Sequence, residues 1–413
     1  MDRYAQMWRI PGAPTLLLGG IVARLGQGVT VIAWLLLVRE TRGSYADAAA
    51  VTAAISLATA AAAPVVGRLA DLYSAQRVLS ACAVVYSLSR IALLTAVLNG
   101  RPLIELCVLA LITGASFPPV SPALRATWSM LTAQDKPHAD LRQTTMAAES
   151  ALFEFVFVVG PLLLSATILI TGFFAPGDPA IGPAAAILGA AACSLLGCLW
   201  LARGTGMRSM TPIGENPRTT GLGPLRAHCF PALLGAAAGV MFAFGAAPVA
   251  IAAFAEEIHA GGGPGVTGVL IAIWSLGSAI GGIWFGTIRL SAPLRTQFLV
   301  ILAILAAGYF LWAASPNTFV LAAILFISGA IIAPALAVMA NIVAELTVES
   351  MRNEAYTWLT TISMSFAAVG AAVTGLVVES AGGARAGFIV AGLATFVALI
   401  VALRVRTPER VPA

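Results

Sequence analysis

Long apolar runs separated by short polar stretches dominate this chain. A helix that spans a bilayer needs about 20 mostly apolar residues. By that measure the pattern predicts twelve membrane-spanning helices, which we call spans 1 to 12 in chain order. Their predicted bounds are 14–38, 46–67, 77–98, 102–124, 144–170, 181–202, 228–253, 265–288, 296–314, 318–342, 355–378 and 385–404.

Composition supports the membrane assignment. The chain is 59% hydrophobic and 10% charged, whereas soluble domains are roughly 45–50% apolar and about 25% charged. Its mean hydropathy of +0.93 excludes a water-soluble globule. We therefore predict an all-α polytopic membrane protein. We attribute the net charge of +5 to the basic residues that orient the helices in the membrane. No nucleic-acid partner is predicted from it.

The basic residues lie unevenly between the two sides of the predicted bundle. The N-terminus, the C-terminus and the loops that follow even-numbered spans hold 17 of the 23 Lys and Arg residues. The opposite loops hold four, and Arg24 and Arg90 lie inside spans. Cytoplasmic loops carry the excess of Lys and Arg, so both termini are predicted to be cytoplasmic.

An internal repeat divides the twelve spans into two groups of six. Span 4 contains LITGASFPP (Leu111–Pro119) and span 10 contains FISGAIIAP (Phe326–Pro334), with glycine and proline in the same register. A polar stretch rich in Gly, Pro, Thr and Arg separates spans 6 and 7. The predicted domains are a six-helix bundle at 1–202, a cytoplasmic linker at 203–227 and a second six-helix bundle at 228–413.

The loop after span 2 carries a recognisable motif. It reads GRLADLYSAQRVL, in which Gly67, Leu69, Ala70 and Asp71 match the signature G-x-L-A-D-basic-x-G-basic-basic of the major facilitator superfamily, which this chain resembles. Ser74 replaces the second glycine, and Arg77 lies just past the basic pair. The resemblance implies the major facilitator fold, in which two six-helix bundles alternate access to a central site. Gly67, Asp71 and Arg77 are then gating residues.

Span 5 resembles the antiporter signature of proton-driven drug exporters. Gly160-Pro161 match its closing Gly-Pro pair, but Val156 stands where a further glycine is expected. Span 4 has Ala110 at the position of the exporters' relay arginine. The resemblance is closest to bacterial drug/proton antiporter-like exporters and implies efflux.

Charged residues inside the predicted spans are the main functional candidates. An ionised side chain at the bilayer centre costs several kcal/mol, so Arg24, Arg90, Glu149 and Glu154 are unlikely residues for packing alone. Depth along the spans places Arg24, Arg90 and Glu154 near the midplane, with Glu149 closer to the cytoplasm. We expect Glu154 to pair with Arg24, or with Arg90, and to release its partner on protonation or substrate binding. A fixed structural ion pair is the alternative.

Several uncharged residues are candidates for a substrate cavity. Gln27 and Trp34 follow Arg24 along one face of span 1 at helical spacing. Met and aromatic residues at such spacing are usually packing residues, so contact with substrate competes with that interpretation. The full candidate set is Gln27, Trp34, Phe117, Met241, Phe244, Asn341, Tyr356 and Trp358.

The sequence lacks the patterns of other energy sources. The single lysine, Lys136, precedes a proline, so no phosphate-binding loop is present. Three distant histidines have no metal-site spacing, and no catalytic arrangement indicates an enzyme. No cofactor is predicted.

We therefore expect a secondary transporter, most simply a proton-coupled exporter of small amphipathic or drug-like molecules, acting as a monomer in the lipid bilayer of a bacterial inner membrane. An importer or facilitator of a small organic anion, a lipid flippase, and a membrane sensor or scaffold that transports nothing remain alternatives.

Overall fold

The computed structural model describes residues 2–174, 178–208, 223–258, 263–288, 290, 292–378 and 383–406. Within these ranges the chain is helical, with turns and short connections and no strand. The helices are α1 Asp2–Trp8, α2 Ala13–Arg42, α3 Tyr45–Tyr73, α4 Ala75–Leu98, α5 Leu103–Ala115, α6 Val120–Leu131, α7 Arg142–Phe174, α8 Ile181–Arg203, α9 Thr205–Arg208, α10 Phe230–Ile258, α11 Gly263–Thr287, α12 Leu294–Ala313, α13 Thr318–Gly329, α14 Ile332–Leu346, α15 Arg352–Val377 and α16 Gly383–Ala402.

The twelve predicted spans are confirmed within the described ranges. Eleven helices or consecutive helix pairs are long and apolar enough to cross a membrane, and α7 holds a further apolar stretch, Leu162–Phe174. Spans 4 and 10 each consist of two helices, α5 with α6 and α13 with α14. The predicted end of span 4 at residue 124 is wrong, because α6 continues to Leu131.

The repeated motif lies where spans 4 and 10 break. Gly114, at the end of α5, packs against the carbonyl oxygen of Ile55 in α3. Gly329, at the end of α13, packs in the same way against the carbonyl oxygen of Trp274 in α11. In both cases the missing Cβ lets a span 4-type helix touch the backbone of a span 2-type helix. The glycine repeat read from the sequence therefore reflects one packing solution used twice.

The helix pairs within each half also repeat. In the first half α2 packs against α8, and in the second half α10 packs against α16. Small residues bring the backbones together: Gly197 meets the backbone of Ala23, and Gly239 meets the carbonyl oxygen of Ala394. Close backbone approach through small residues is how helices associate in lipid, where burial of apolar side chains adds little driving force.

The chain forms two compact units. The first unit comprises Met1–Met7, Leu131–Glu154 and Arg218–Ala413, and the second unit comprises Trp8–Met130 and Phe155–Pro217. Helix α7 is shared between the units, with residues up to Glu154 in the first and the remainder in the second.

The turn between α3 and α4 requires a glycine-like backbone. Ser74 has φ 102° and ψ 136°, a conformation that residues with a Cβ rarely adopt. It occupies the position at which the superfamily signature has glycine. The side chain of Ser74 compensates in part, since its hydroxyl accepts a hydrogen bond from the Arg77 backbone N–H at 3.4 Å and caps α4.

We expect Ser74→Gly to stabilise the protein by about 1 kcal/mol. Relief of backbone strain is worth about 1–3 kcal/mol, whereas exchanging a serine cap for glycine costs a few tenths. The melting temperature of the purified protein in detergent measures the effect. Ser80→Gly on the same helix is the control, and it should destabilise by about 0.5 kcal/mol because Ser80 has ordinary helical geometry. A lower melting temperature for Ser74→Gly would contradict the strain argument.

Candidate functional site

Arg24 lies inside the second unit on α2. It is 1% exposed, and its guanidinium folds back along the helix toward Gly20. A Cβ built on Gly20 would lie 3.7 Å from Nη2 of Arg24. Arg24 has a polar or electrostatic partner. The predicted pairing with Glu154 stays a prediction, because the side chain of Glu154 lies outside the described residues.

Arg90 also lies inside the second unit, on α4, and is 1% exposed. Its Nη2 donates a hydrogen bond to the Thr30 hydroxyl of α2 at 2.9 Å. Its guanidinium carbon lies 5.1 Å from the centre of the Tyr86 ring. Neither Nε nor Nη1 has a hydrogen-bond acceptor among the described residues. The guanidinium therefore contacts a hydroxyl through Nη2 and an aromatic face, whereas its Nε and Nη1 donors are unused among the described residues.

Tyr86 links Arg90 to the break in span 4. Its ring meets Phe117 edge to face, with 5.5 Å between ring centres. Phe117 lies between α5 and α6 and is partly exposed. Of the predicted cavity residues in the second unit, Phe117 thus contacts the ring that covers a buried charge. Gln27 is partly exposed, whereas Trp34 is 0% exposed and packs in an apolar cluster with Leu37, Leu93 and Leu94.

Glu149 lies in the first turns of α7, within the first unit. It is 2% exposed and has a polar or electrostatic partner. The surrounding stretch from Thr144 to Ser150 is buried throughout. Glu149 is therefore a carboxyl group removed from water.

The start of α7 is bonded to the end of α11 within the first unit. Gln143 Nε2 donates to the Phe285 carbonyl at 2.9 Å, and Thr144 Oγ1 donates to the Gly286 carbonyl at 2.7 Å. The last four carbonyls of a helix have no intrahelical donor, so these side chains satisfy groups that α11 leaves open. We call these two bonds, with the contact of Gly286 against Ala147, the α7–α11 contact.

The short helix α1 joins the same place. Tyr4 donates its hydroxyl to the Ile283 carbonyl at 3.0 Å, and Arg3 Nη1 donates to the Ile288 carbonyl at 3.0 Å. Burial raises the pKa of the Tyr4 phenol to about 12, although Arg3 opposes the shift. The phenol therefore remains a neutral donor at every pH below about 10. Each such bond contributes about 0.5–1.5 kcal/mol, so together they stabilise the packing of α1 against α11.

The predicted gating residues lie at the junction of α3 and α4. Gly67 is buried in α3, Asp71 is partly buried in its last turn, and Arg77 is exposed in the first turn of α4. Asp71 has a polar or electrostatic partner. Its role as a gate remains a prediction.

Gly160 brings α7 against α2. A Cβ on Gly160 would lie 2.6 Å from both the Cα and the carbonyl carbon of Gly28. The carbonyl oxygen of Val156, which stands where the antiporter signature has glycine, also faces Gly28 and lies 2.7 Å from a Cβ built there. The side chain of Pro161 lies outside the described residues.

The candidates of the first unit fall into packing and polar groups. Met241 is buried, and Phe244 stacks on Trp274 with 5.1 Å between ring centres. The Tyr356 hydroxyl donates to the Ala340 carbonyl at 3.0 Å, which joins α15 to α14. Asn341 Oδ1 and Trp358 Nε1 are buried with no hydrogen-bond partner among the described residues. These two side chains retain unused hydrogen-bonding capacity.

Sequence reasoning missed three buried polar positions. Thr144 was not singled out, because a threonine at a span end carries no signal of its own. The predicted end of span 4 at residue 124 puts Arg125 in a loop, but Arg125 lies in α6 and is 7% exposed. The predicted start of span 11 at residue 355 excludes Glu354. Helix α15 begins at Arg352, however, so Glu354 lies in the first helical turn, is 9% exposed and has its carboxylate against Gly223. A carboxylate at a helix N-terminus is favourable, which could have indicated the earlier start.

Comparison with known proteins supports a family assignment. A family model described as Major Facilitator Superfamily matches residues 16–316 and 233–413. No curated protein gives a significant match.

Among solved structures, the transporter FucP in its outward conformation has a TM-score of 0.70 at 14% identity, covering 95% of this chain and 99% of its own. A bacterial homologue of the iron transporter ferroportin, in an outward-facing state, gives 0.69 at 14% identity, with coverage of 94% and 98%. The human organic anion transporter MFSD10 (TETRAN) gives 0.64 at 17% identity, with coverage of 94% and 98%. At these identities the similarity establishes the fold.

Proposed function

Because the chain belongs to the Major Facilitator Superfamily, we propose that it is a proton-coupled secondary transporter that exports small amphipathic organic molecules by alternating access. It is a multi-pass membrane protein and not an enzyme. The bacterial inner membrane is the proposed location, with both termini in the cytoplasm.

The observation that carries this proposal is the burial of ionisable side chains in membrane-spanning helices. Arg24, Arg90 and Glu149 are each at most 2% exposed. Insertion scales put the cost of an ionised group at the helix centre at about 2.5–3.5 kcal/mol. A protein that only needed a stable bundle would be more stable with apolar residues at these positions, so a transport role explains their presence.

Proton coupling is proposed for the carboxyl groups of α7. Glu149 is buried in the described part of the helix, and Glu154 lies between it and the Gly160-Pro161 pair that resembles drug exporters. Burial disfavours the ionised carboxylate and a nearby arginine favours it. A carboxyl group that alternates between such environments takes up a proton on one side of the membrane and releases it on the other.

We expect Glu149→Gln or Glu154→Gln to uncouple transport from protons. In proteoliposomes with an imposed pH gradient, the wild type should concentrate a substrate against its gradient, and at least one of these variants should only equilibrate it. Glu105→Gln is the control, because Glu105 is partly exposed in the first turn of α5 and pairs with Arg101 at 4.0 Å. Unchanged proton dependence in both α7 variants would remove the coupling role.

The solute we propose is amphipathic, and we propose further that it carries a negative charge. The human organic anion transporter covers nearly the whole chain in fold. Two arginines are buried in the second unit. Together these favour solutes with a negatively charged group over cationic ones.

A further inference from the structure

Arg90 has more hydrogen-bonding capacity than its surroundings use. A guanidinium has five N–H donors. One donor, on Nη2, reaches Thr30, whereas the Nε–H and both N–H groups of Nη1 have no acceptor among the described residues. Arg24 has a polar or electrostatic partner, and only its Nε is a buried guanidinium nitrogen without an acceptor among the described residues.

The groups around Arg90 compensate only part of the cost of burying its charge. An aromatic face contributes about 0.5–2 kcal/mol to a cation at this distance, and a hydroxyl that accepts a hydrogen bond from a charged donor contributes about 1.5–3 kcal/mol. The effective penalty for removing an ion from water is several kcal/mol, and the Nε and Nη1 donors still lack an acceptor among the described residues. An anionic partner would offset the remainder, since it adds Coulomb attraction to the hydrogen bonds that it accepts.

We propose that the Arg90 guanidinium binds the anionic group of the transported solute, a carboxylate, sulfonate or phosphate on an organic body. This inference rests on the proposed transport function. Thr30 positions the guanidinium from α2, and the Tyr86 ring covers its face. Phe117, in edge-to-face contact with Tyr86 at the break of span 4, supplies an apolar aromatic surface for the body of the solute.

The position of Arg90 along the membrane fits a binding site that opens to one side at a time. Arg90 lies 15 residues after the start of α4, or about 22 Å along a helix about 36 Å long. It is 1% exposed in this conformation. A solute therefore reaches the guanidinium only when the surrounding helices move, as alternating access requires.

Matched naphthalene probes test the charge requirement. The melting temperature of the purified protein in detergent is measured with 1-naphthoate, neutral 1-naphthalenemethanol, cationic 1-naphthylmethylammonium, inorganic phosphate and chloride. We expect a rise of about 3 °C or more with saturating naphthoate, and little change with the others. Absence of a shift with naphthoate, or an equal shift with phosphate or chloride, would overturn the assignment to an organic anion.

Variants locate the binding group. Arg90→Met should abolish the naphthoate shift, and Arg90→Lys should weaken naphthoate binding about tenfold because an ammonium lacks the planar fork of donors. Arg101→Met, which removes a charge from an exposed arginine, should retain the full shift. A naphthoate shift that persists in Arg90→Met would exclude Arg90 as the binding group.

The stability of ligand-free Arg90→Met separates binding from a structural role. If Arg90 is a binding residue, removing its uncompensated charge leaves the melting temperature unchanged or raises it. A lower melting temperature would identify Arg90 as a structural group and overturn the inference.

Proteoliposome transport of the neutral and cationic probes keeps the two proposals distinct. If these probes are transported and naphthoate is neither bound nor transported, the inference about Arg90 fails and the transport function stands. If no probe is transported, the proposed function fails with it.

Discussion

Gly160→Leu is expected to prevent the second unit from folding properly. The new Cβ would lie 2.6 Å from two backbone atoms of Gly28 on α2, closer than real Cβ contacts occur. Backbone atoms of a packed helix cannot rotate away as a flexible side chain can, so α2 and α7 must separate. Overpacking of this kind costs about 3 kcal/mol or more, and separation would also remove the neighbouring contact between Val156 and Gly28.

Gly172→Leu on the same helix is the matched control. A Cβ on Gly172 meets nothing within 4 Å, and leucine is the better helix former by about 0.8 kcal/mol. The yield of monodisperse protein and its melting temperature should fall sharply for Gly160→Leu and be unchanged or higher for Gly172→Leu. Equal behaviour of the two variants would contradict the close approach of α2 and α7.

Gly286→Leu is expected to slow transport strongly while leaving the protein folded. A Cβ on Gly286 would collide with the Tyr4 hydroxyl and approach the Ala147 Cβ to 3.2 Å. The leucine side chain therefore destabilises the α7–α11 contact. If overpacking destabilises the state that contains this contact by about 1–3 kcal/mol, the population of that state in an alternating-access cycle falls by roughly 5- to 150-fold. The initial transport rate in proteoliposomes should fall by a similar factor.

Gly268→Leu provides the control on α11, because a Cβ at that position meets nothing within 4 Å. Both variants should give similar yields and melting temperatures within a few degrees. A Gly286→Leu protein that transports at the rate of Gly268→Leu would show that closure at the α7–α11 contact has no part in transport.

The membrane spans could be predicted from the sequence because hydropathy alone decides them. Each apolar run longer than about 20 residues has one favourable location, the bilayer, and the structure contains the expected helices. The glycines at 114 and 329 could be matched as well, because both fulfil the same steric requirement at the same position of a repeated bundle.

The polar interior was harder to predict. The hydropathy pattern predicts that Arg125 begins a loop, since such a pattern cannot distinguish a solvated arginine from one covered by neighbouring helices. In the sequence, Ser74 replaces the signature glycine. In the structure, the backbone of Ser74 nevertheless has a positive φ, a strained conformation that glycine adopts easily. The bonds from Gln143 and Thr144 to α11 join residues far apart in the chain, and no local pattern specifies them.

The sequence identifies the candidate charges, whereas their surroundings come only from the structure. Arg24, Arg90 and Glu149 are buried, and their functional roles stay predictions. No sequence pattern separates Arg24, which has a polar or electrostatic partner, from Arg90, whose Nε and Nη1 have no acceptor among the described residues. That difference depends on which acceptors surround each guanidinium, and only the packed structure determines them.

A cross-link across the α7–α11 contact tests alternating access most directly. Ala147→Cys with Gly286→Cys, in a background lacking the five native cysteines, places two Cβ atoms about as close as a disulfide needs. If this contact opens and closes in every cycle, oxidation should stop transport in proteoliposomes and reduction should restore it, while either single cysteine has no effect. If the fully cross-linked protein transported as fast as the protein with its disulfide reduced, the proposed mechanism would be contradicted.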